Sequence, residues 1–65
     1  MLDGKTVMIT GAAHRIGRHL AITAARAGAD VILHYARSAA AVQETAQAVR
    51  SLGRQAWVLQ ADFSR

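Results

Sequence analysis

The residues with the most chemistry to offer stand in one short run, Thr10-Gly11-Ala12-Ala13-His14-Arg15-Ile16-Gly17-Arg18. It joins an apolar, β-branched segment to a segment of helical period. The first main-chain N–H groups of a helix have no intrahelical acceptor and carry partial positive charge. Such a junction attracts anions before any side chain is added. Gly11 lets the chain leave a strand sharply, and Gly17 lets a helix approach a sheet or ligand where a Cβ would clash. Arg15 offers a planar fork of donors that suits a pair of phosphate oxygens, or a reach past the ligand to an acidic or carbonyl-bearing molecule. Glycines that only turn the chain, and an arginine that only faces solvent, are the plain alternative. A strand–helix–strand setting is the context that the phosphate reading requires.

The rest of the chain supplies that setting. Lys5-Thr6-Val7-Met8-Ile9-Thr10 reads as a short buried strand. From Ile16 the period changes: Ile16, Leu20, Thr23, Ala24 and Ala27 fall at helical spacing, and Gly28 stands where a left-handed cap ends a helix. Asp30-Val31-Ile32-Leu33-His34-Tyr35 is a second apolar strand. Ser38 is placed to cap a second helix, whose buried stripe is Val42, Ala46, Val49 and Leu52, with Gly53 as its stop. Gln55 to Ala61 gives a third strand around Trp57, Val58 and Leu59, with Trp57 expected in the core.

Strands alternating with helices imply parallel pairing and right-handed crossovers, an α/β sheet of the βαβαβ kind. With strand order 3-2-1 both helices land on one face, and the other face shows Val, Ile and Leu to water. The first strand is then an open edge. Parallel sheets are normally covered on both sides. The expectation is that residues 1–65 are the N-terminal part of one doubly wound domain, an incomplete half.

Composition narrows the partners. A net charge of +4 comes mainly from arginines at 15, 18, 26, 37, 50, 54 and 65. Their dispersal, with a single lysine, fits phosphate binding at one or two points and speaks against a stripe that tracks a nucleic-acid backbone. Cysteine is absent, which removes disulfides, thiol catalysis and Cys-based zinc sites. His14 and His19 read as surface helix residues, and three histidines without ligand spacing give no metal site. Neither a secretory leader nor a membrane-length apolar run is legible, so a cytoplasmic setting is the default.

The turn at residues 10–17 resembles the coenzyme turn of the short-chain dehydrogenases/reductases, Thr-Gly-three residues-Gly-any-Gly. It departs in one place, where Arg15 replaces the middle glycine. That variant is similar to the pteridine reductase branch, as is the later segment His34-Tyr35-Ala36-Arg37-Ser38. The resemblance runs over essentially the whole chain and implies a Rossmann-type domain binding a nicotinamide dinucleotide. It implies contacts from Gly11, Arg15, Ile16 and Gly17 at the turn, and from His34 and Tyr35 on the adenosine side, with a plain structural role as the alternative for either of the last two. At the end of the third strand, Asp62 would accept from the adenine amino group and the Phe63 main-chain N–H would reach a ring nitrogen. For Asp62 a plain turn cap is the rival role. A homo-oligomer, a tetramer, and a small-molecule substrate are also implied.

Which dinucleotide follows from charge. In NAD-specific folds an Asp or Glu about 20 residues after the turn holds the ribose 2′-hydroxyl. Arg37 stands at that place, followed by Ser38, and no acid lies between His34 and Ala41. A guanidinium attracts a 2′-phosphate, and Ser38 adds a hydroxyl and, as helix N-cap, main-chain donors, so NADP(H) is expected. The plain alternative is Arg37 as a surface charge and Ser38 as a cap alone.

In this family, hydride transfer rests on a tyrosine and a lysine four residues apart. The one tyrosine here, Tyr35, has Ala39 four positions on, and the one lysine is Lys5. No catalytic residue can be assigned in the segment. The leading expectation is the coenzyme-binding start of an NADPH-dependent carbonyl or pterin reductase. A 3-oxoacyl carrier-protein reductase is the alternative within the family, and a non-catalytic dinucleotide sensor the alternative outside it.

Overall fold

Each apolar run becomes an element in the expected order. In the computed structural model, which describes residues 1–11 and 15–60, these are β1 (Thr6–Thr10), α1 (Arg15–Arg26), β2 (Asp30–Tyr35), α2 (Ala39–Ser51) and β3 (Ala56–Gln60). All pairing is parallel, in the order β1-β2-β3, the neighbour order expected from sequence. Val7 and Ile9 stand opposite Val31 and Leu33, which in turn face Ala56 and Val58. Successive strand residues point to opposite faces, so this register gathers one apolar layer. Among the described residues, no helix is long and apolar enough to cross a membrane.

Both helices cover that layer and pack on each other. Ile9, Val31, Leu33 and Ala56 from the sheet meet Ala21, Ala24 and Ala25 of α1 and Val42, Ala46 and Val49 of α2, all buried. Alanine lets the helix backbones come close, which places many atoms in dispersion contact despite small side chains. Thr45, also buried, turns its hydroxyl back to the Ala41 carbonyl at 3.4 Å.

Three sequence expectations are corrected. Ile16 and Leu20 are 74% and 49% exposed, and Thr23 is exposed too. The inward positions of α1 are Gly17, Ala21, Ala24 and Ala25. The small-residue side wins because it permits the closer approach. Leu52 is not in the α2 stripe: it is the C-cap, 43% exposed, where the chain already turns toward Gly53. Trp57 is 45% exposed instead of core. The pleat sends it, with Met8 and Leu59, to the face that neither helix covers. The strand ends are also slightly shorter than expected. Lys5 and Gln55 lie outside the strands, although their carbonyls still accept from Asp30 and Val31 at 3.0 Å. Ala61 lies outside the described residues.

Both helices end in the same way. Gly28 N–H donates to the Ala25 carbonyl and Ala29 N–H to that of Ala24, each at 3.0 Å. Gly53 and Arg54 repeat the pair onto Arg50 and Val49 at 2.9 and 3.4 Å. This double bond pattern needs a left-handed residue, supplied by Gly28 (φ 104°) and Gly53 (φ 82°). Around Gly53 there is open space, whereas a Cβ on Gly28 would run into the Asp3 carboxyl. Gly28→Ala is therefore expected to lower stability by about 1–2 kcal/mol, and Gly53→Ala by less. Urea melts of the two variants check the order.

Candidate functional site

Parallel strands put all their carboxyl ends on one edge. Thr10, Tyr35 and Gln60 end the three strands there, and open parallel sheets receive ligands outside that edge. Gly11 follows β1 in the left-handed region (φ 67°), the conformation expected of the residue that turns the chain off the strand. Gly17 is buried in α1, where it faces the core. Arg15 opens α1 and is exposed, as is Ile16. Residues 12–14, His14 among them, lie outside the described residues. His19 is exposed, as a surface helix residue should be.

His34 and Tyr35 end β2 but do not face the same way. His34 stands between Thr10 and Leu59 on the uncovered face of the sheet. Tyr35 stands opposite Gln60 and is packed against the core, on the helix side. The structure brings both to the carboxyl edge and separates their side chains by the thickness of the sheet. Asp62 and Phe63 lie outside the described residues.

Arg37 and Ser38 occupy the exposed turn between β2 and α2. Ser38 immediately precedes α2, as expected, but its hydroxyl makes no capping hydrogen bond. It sits at φ 69°, ψ 55°, where N-cap residues ordinarily have extended backbone. The side chain is thereby turned off the helix start, leaving the first-turn N–H groups without a side-chain acceptor. Only the Ser38 carbonyl engages α2, accepting from Val42 N–H at 3.2 Å. A left-handed serine is strained where glycine is not. Ser38→Gly is expected to stabilise the protein by about 0.5–1 kcal/mol, the left-handed penalty less the entropic cost of glycine. A thermal melt reads it.

Charge is sorted between the two ends of the sheet. At the amino edge, the Asp30 carboxylate accepts from Arg54 Nε at 3.2 Å and from Gln55 N–H at 2.9 Å. Arg50 donates to the Ala56 carbonyl at 2.8 Å. Arg18 lies 3.9 Å from Glu44 across the helix pair, both side chains mostly exposed, an ion pair worth at most about 1 kcal/mol. At the carboxyl edge Arg15 and Arg37 pair with no carboxylate among the described residues. Neither helix carries an acid in its first turn. Among the described residues, this edge holds two helix starts and two guanidiniums without a carboxylate partner, a donor set that suits a phosphorylated ligand.

The donor set therefore fits a dinucleotide: a left-handed glycine after β1, a helix start behind it, and cations with no competing carboxylate among the described residues. Among those residues, no group of three or more His, Cys, Asp or Glu is placed to hold a metal. Sequence reasoning missed Gln60, whose side-chain amide donates to the Ala36 carbonyl at 3.4 Å. No motif marks it, because the contact depends on which residue of β3 ends beside Tyr35.

Known proteins share this fold. The family model described as short chain dehydrogenase matches residues 5–65. A hydroxynaphthalene reductase from Aspergillus fumigatus is 41% identical over 63 residues, 97% of this chain and 23% of its own length. A 3-oxoacyl-[acyl-carrier-protein] reductase from Aggregatibacter actinomycetemcomitans is 42% identical over 60 residues, 92% of this chain and 25% of its own. Carveol dehydrogenase from Mycobacterium avium, crystallised in complex with NAD, superposes with a TM-score of 0.87 at 30% identity, over 94% of this chain and 26% of that one. The chain thus spans about a quarter of the length of the relatives it matches. With the family's sheet in place and the match running from Lys5 to Arg65, the chain belongs to the short-chain dehydrogenase family.

Proposed function

We propose that these residues bind the adenosine half of NADP(H) for a short-chain reductase that acts on a small carbonyl or pterin-type substrate. The observation that carries the reading is Arg37: exposed at the carboxyl edge, twenty residues after Gly17, and unpaired with any carboxylate among the described residues. Arg37 and Ser38 would hold the 2′-phosphate, while Gly11, Arg15, Ile16 and Gly17 would form the cradle for the pyrophosphate. His34 on the open face and Tyr35 on the helix face would border the adenosine, with Asp62 and Phe63 at the adenine. The coenzyme supplies the hydride when bound. What this segment does is orient it, through main-chain donors and two guanidiniums.

The groups that move a proton to the substrate would stand in polypeptide beyond residue 65, as would those that choose the substrate. The uncovered face with Met8, Trp57 and Leu59 supports that reading, since a parallel sheet ordinarily has both faces covered. Arg15 together with His34-Tyr35-Ala36-Arg37-Ser38 favours a pteridine reductase-like enzyme. The relative that reduces 3-oxoacyl-[acyl-carrier-protein] favours that activity as the second reading. A cytoplasmic homo-oligomer, a tetramer, is part of the proposal. Fluorescence titration of the full protein with NADPH and NADH tests its centre. Tighter binding of NADPH is expected, and equal affinities would remove the assignment.

A further inference from the structure

We infer that Gln60 is a positioning residue for the 2′-phosphate, acting through the turn that carries Arg37 and Ser38; the inference rests on the NADP(H) reading above. Gln60 ends β3 and stands opposite Tyr35, the last residue of β2. The chain leaves β2 through Ala36, Arg37 and Ser38 before α2 begins at Ala39. Among the described residues, one side-chain hydrogen bond reaches this turn: Gln60 Nε2 donates to the Ala36 carbonyl at 3.4 Å. Ser38 contributes no capping bond from its own side chain, and Arg37 has no ion-pair partner among the described residues. The turn is held at its two ends by β2 and α2, and across its width by Gln60.

The physical role of such a tether is directional. In an exposed position a long hydrogen bond adds little to stability, because water replaces it when it breaks. It does restrict how the Ala36 peptide rotates, and that peptide sets the course of the backbone into Arg37. A guanidinium binds a phosphate best as a fork, with two N–H groups aligned to two oxygens, so a small change in its base has a large effect on the pair. An amide also suits the place. It donates to a carbonyl while adding no negative charge beside the phosphate, as a glutamate would. Gln60 need not touch the coenzyme.

Two probes isolate the effect in the full protein: adenosine 2′,5′-bisphosphate and adenosine 5′-monophosphate, which differ by the phosphate in question. Calorimetric titration of Gln60→Met is expected to show about a 3- to 10-fold weaker bisphosphate and an almost unchanged monophosphate. In an Arg37→Ala background the same substitution should have almost no further effect, because the two act in series. Equal losses on both probes would show a general structural role and overturn the inference. So would an undiminished bisphosphate affinity, or a full additional loss in the Arg37→Ala background. Gln60→Leu removes the same donor with a different shape and carries the same expectation, should the methionine variant fold poorly. Wild-type protein that does not distinguish the two probes would instead sink the NADP(H) reading itself.

Discussion

Arg37→Ala is expected to weaken NADPH binding by about 1.5–3 kcal/mol, the scale of a hydrogen bond to a charged group. NADH binding should barely change, since NADH presents a hydroxyl where NADPH presents a phosphate. The asymmetry carries the meaning. If the side chain were an ordinary surface charge, its removal would shift both coenzymes slightly and together through the general field of the edge. The result would also depend on salt: the exposed guanidinium is screened, so the difference between wild type and variant should shrink as ionic strength rises. Titrations at two salt concentrations measure both effects. A parallel loss for the two coenzymes would show that Arg37 does not read the extra phosphate.

The second large effect is expected in the core. Leu33 is fully buried in the middle strand, opposite Ile9 on one side and Val58 on the other, beneath both helices. Leu33→Ala removes apolar contact and leaves a void that four elements would have to close together, a cost of about 2–5 kcal/mol. A fold of this size has only about 3–10 kcal/mol in reserve, so the 65-residue polypeptide should lose its cooperative unfolding transition. Trp57→Ala deletes a larger side chain but one that is 45% exposed, and in the same polypeptide it should cost less. In the full protein the two costs should draw together if further chain covers the open face. Circular dichroism melts of both variants in both contexts provide the comparison.

The order of elements was legible because periodicity and glycine placement carry it. Val31 and Leu33 announce a strand, and Gly28 and Gly53 mark the helix ends where the left-handed caps are found. What hydrophobicity could not show was the side on which a partner lies. Trp57, Ile16 and Leu20 look like core by composition, yet each points away from the packed layer. The reason is physical: a strand residue's face is fixed by pleat and register, and a helix chooses its inward side by how closely that side can approach. Alanine won that choice in α1 against the larger residues beside it.

The placement of the candidate site's residues was legible to a similar degree. The positions of Gly11, Arg15, Gly17 and Arg37 at one edge follow from the order of strands, which the sequence pattern supports. The left-handed Ser38 does not, because serine there suggests a side-chain cap and the backbone takes another route into α2. The opposed faces of His34 and Tyr35 follow from adjacency in a strand, though shared motif membership draws attention away from it. Gln60 was invisible, since its role exists only when β3 stops level with Tyr35.

The two ends of this sheet are fastened differently. Carboxylate, guanidinium and glycine locks hold the amino end, at Asp30, Arg54, Arg50, Gly28 and Gly53. Among the described residues at the other end, the turn from β2 to α2 has one side-chain tie, from Gln60. On the proposed reading, substitutions in Ala36–Ser38 would alter which coenzyme is held without loosening the scaffold, so a lineage could change coenzyme by small steps while its architecture stays put. Drift at the fastened end has no such freedom.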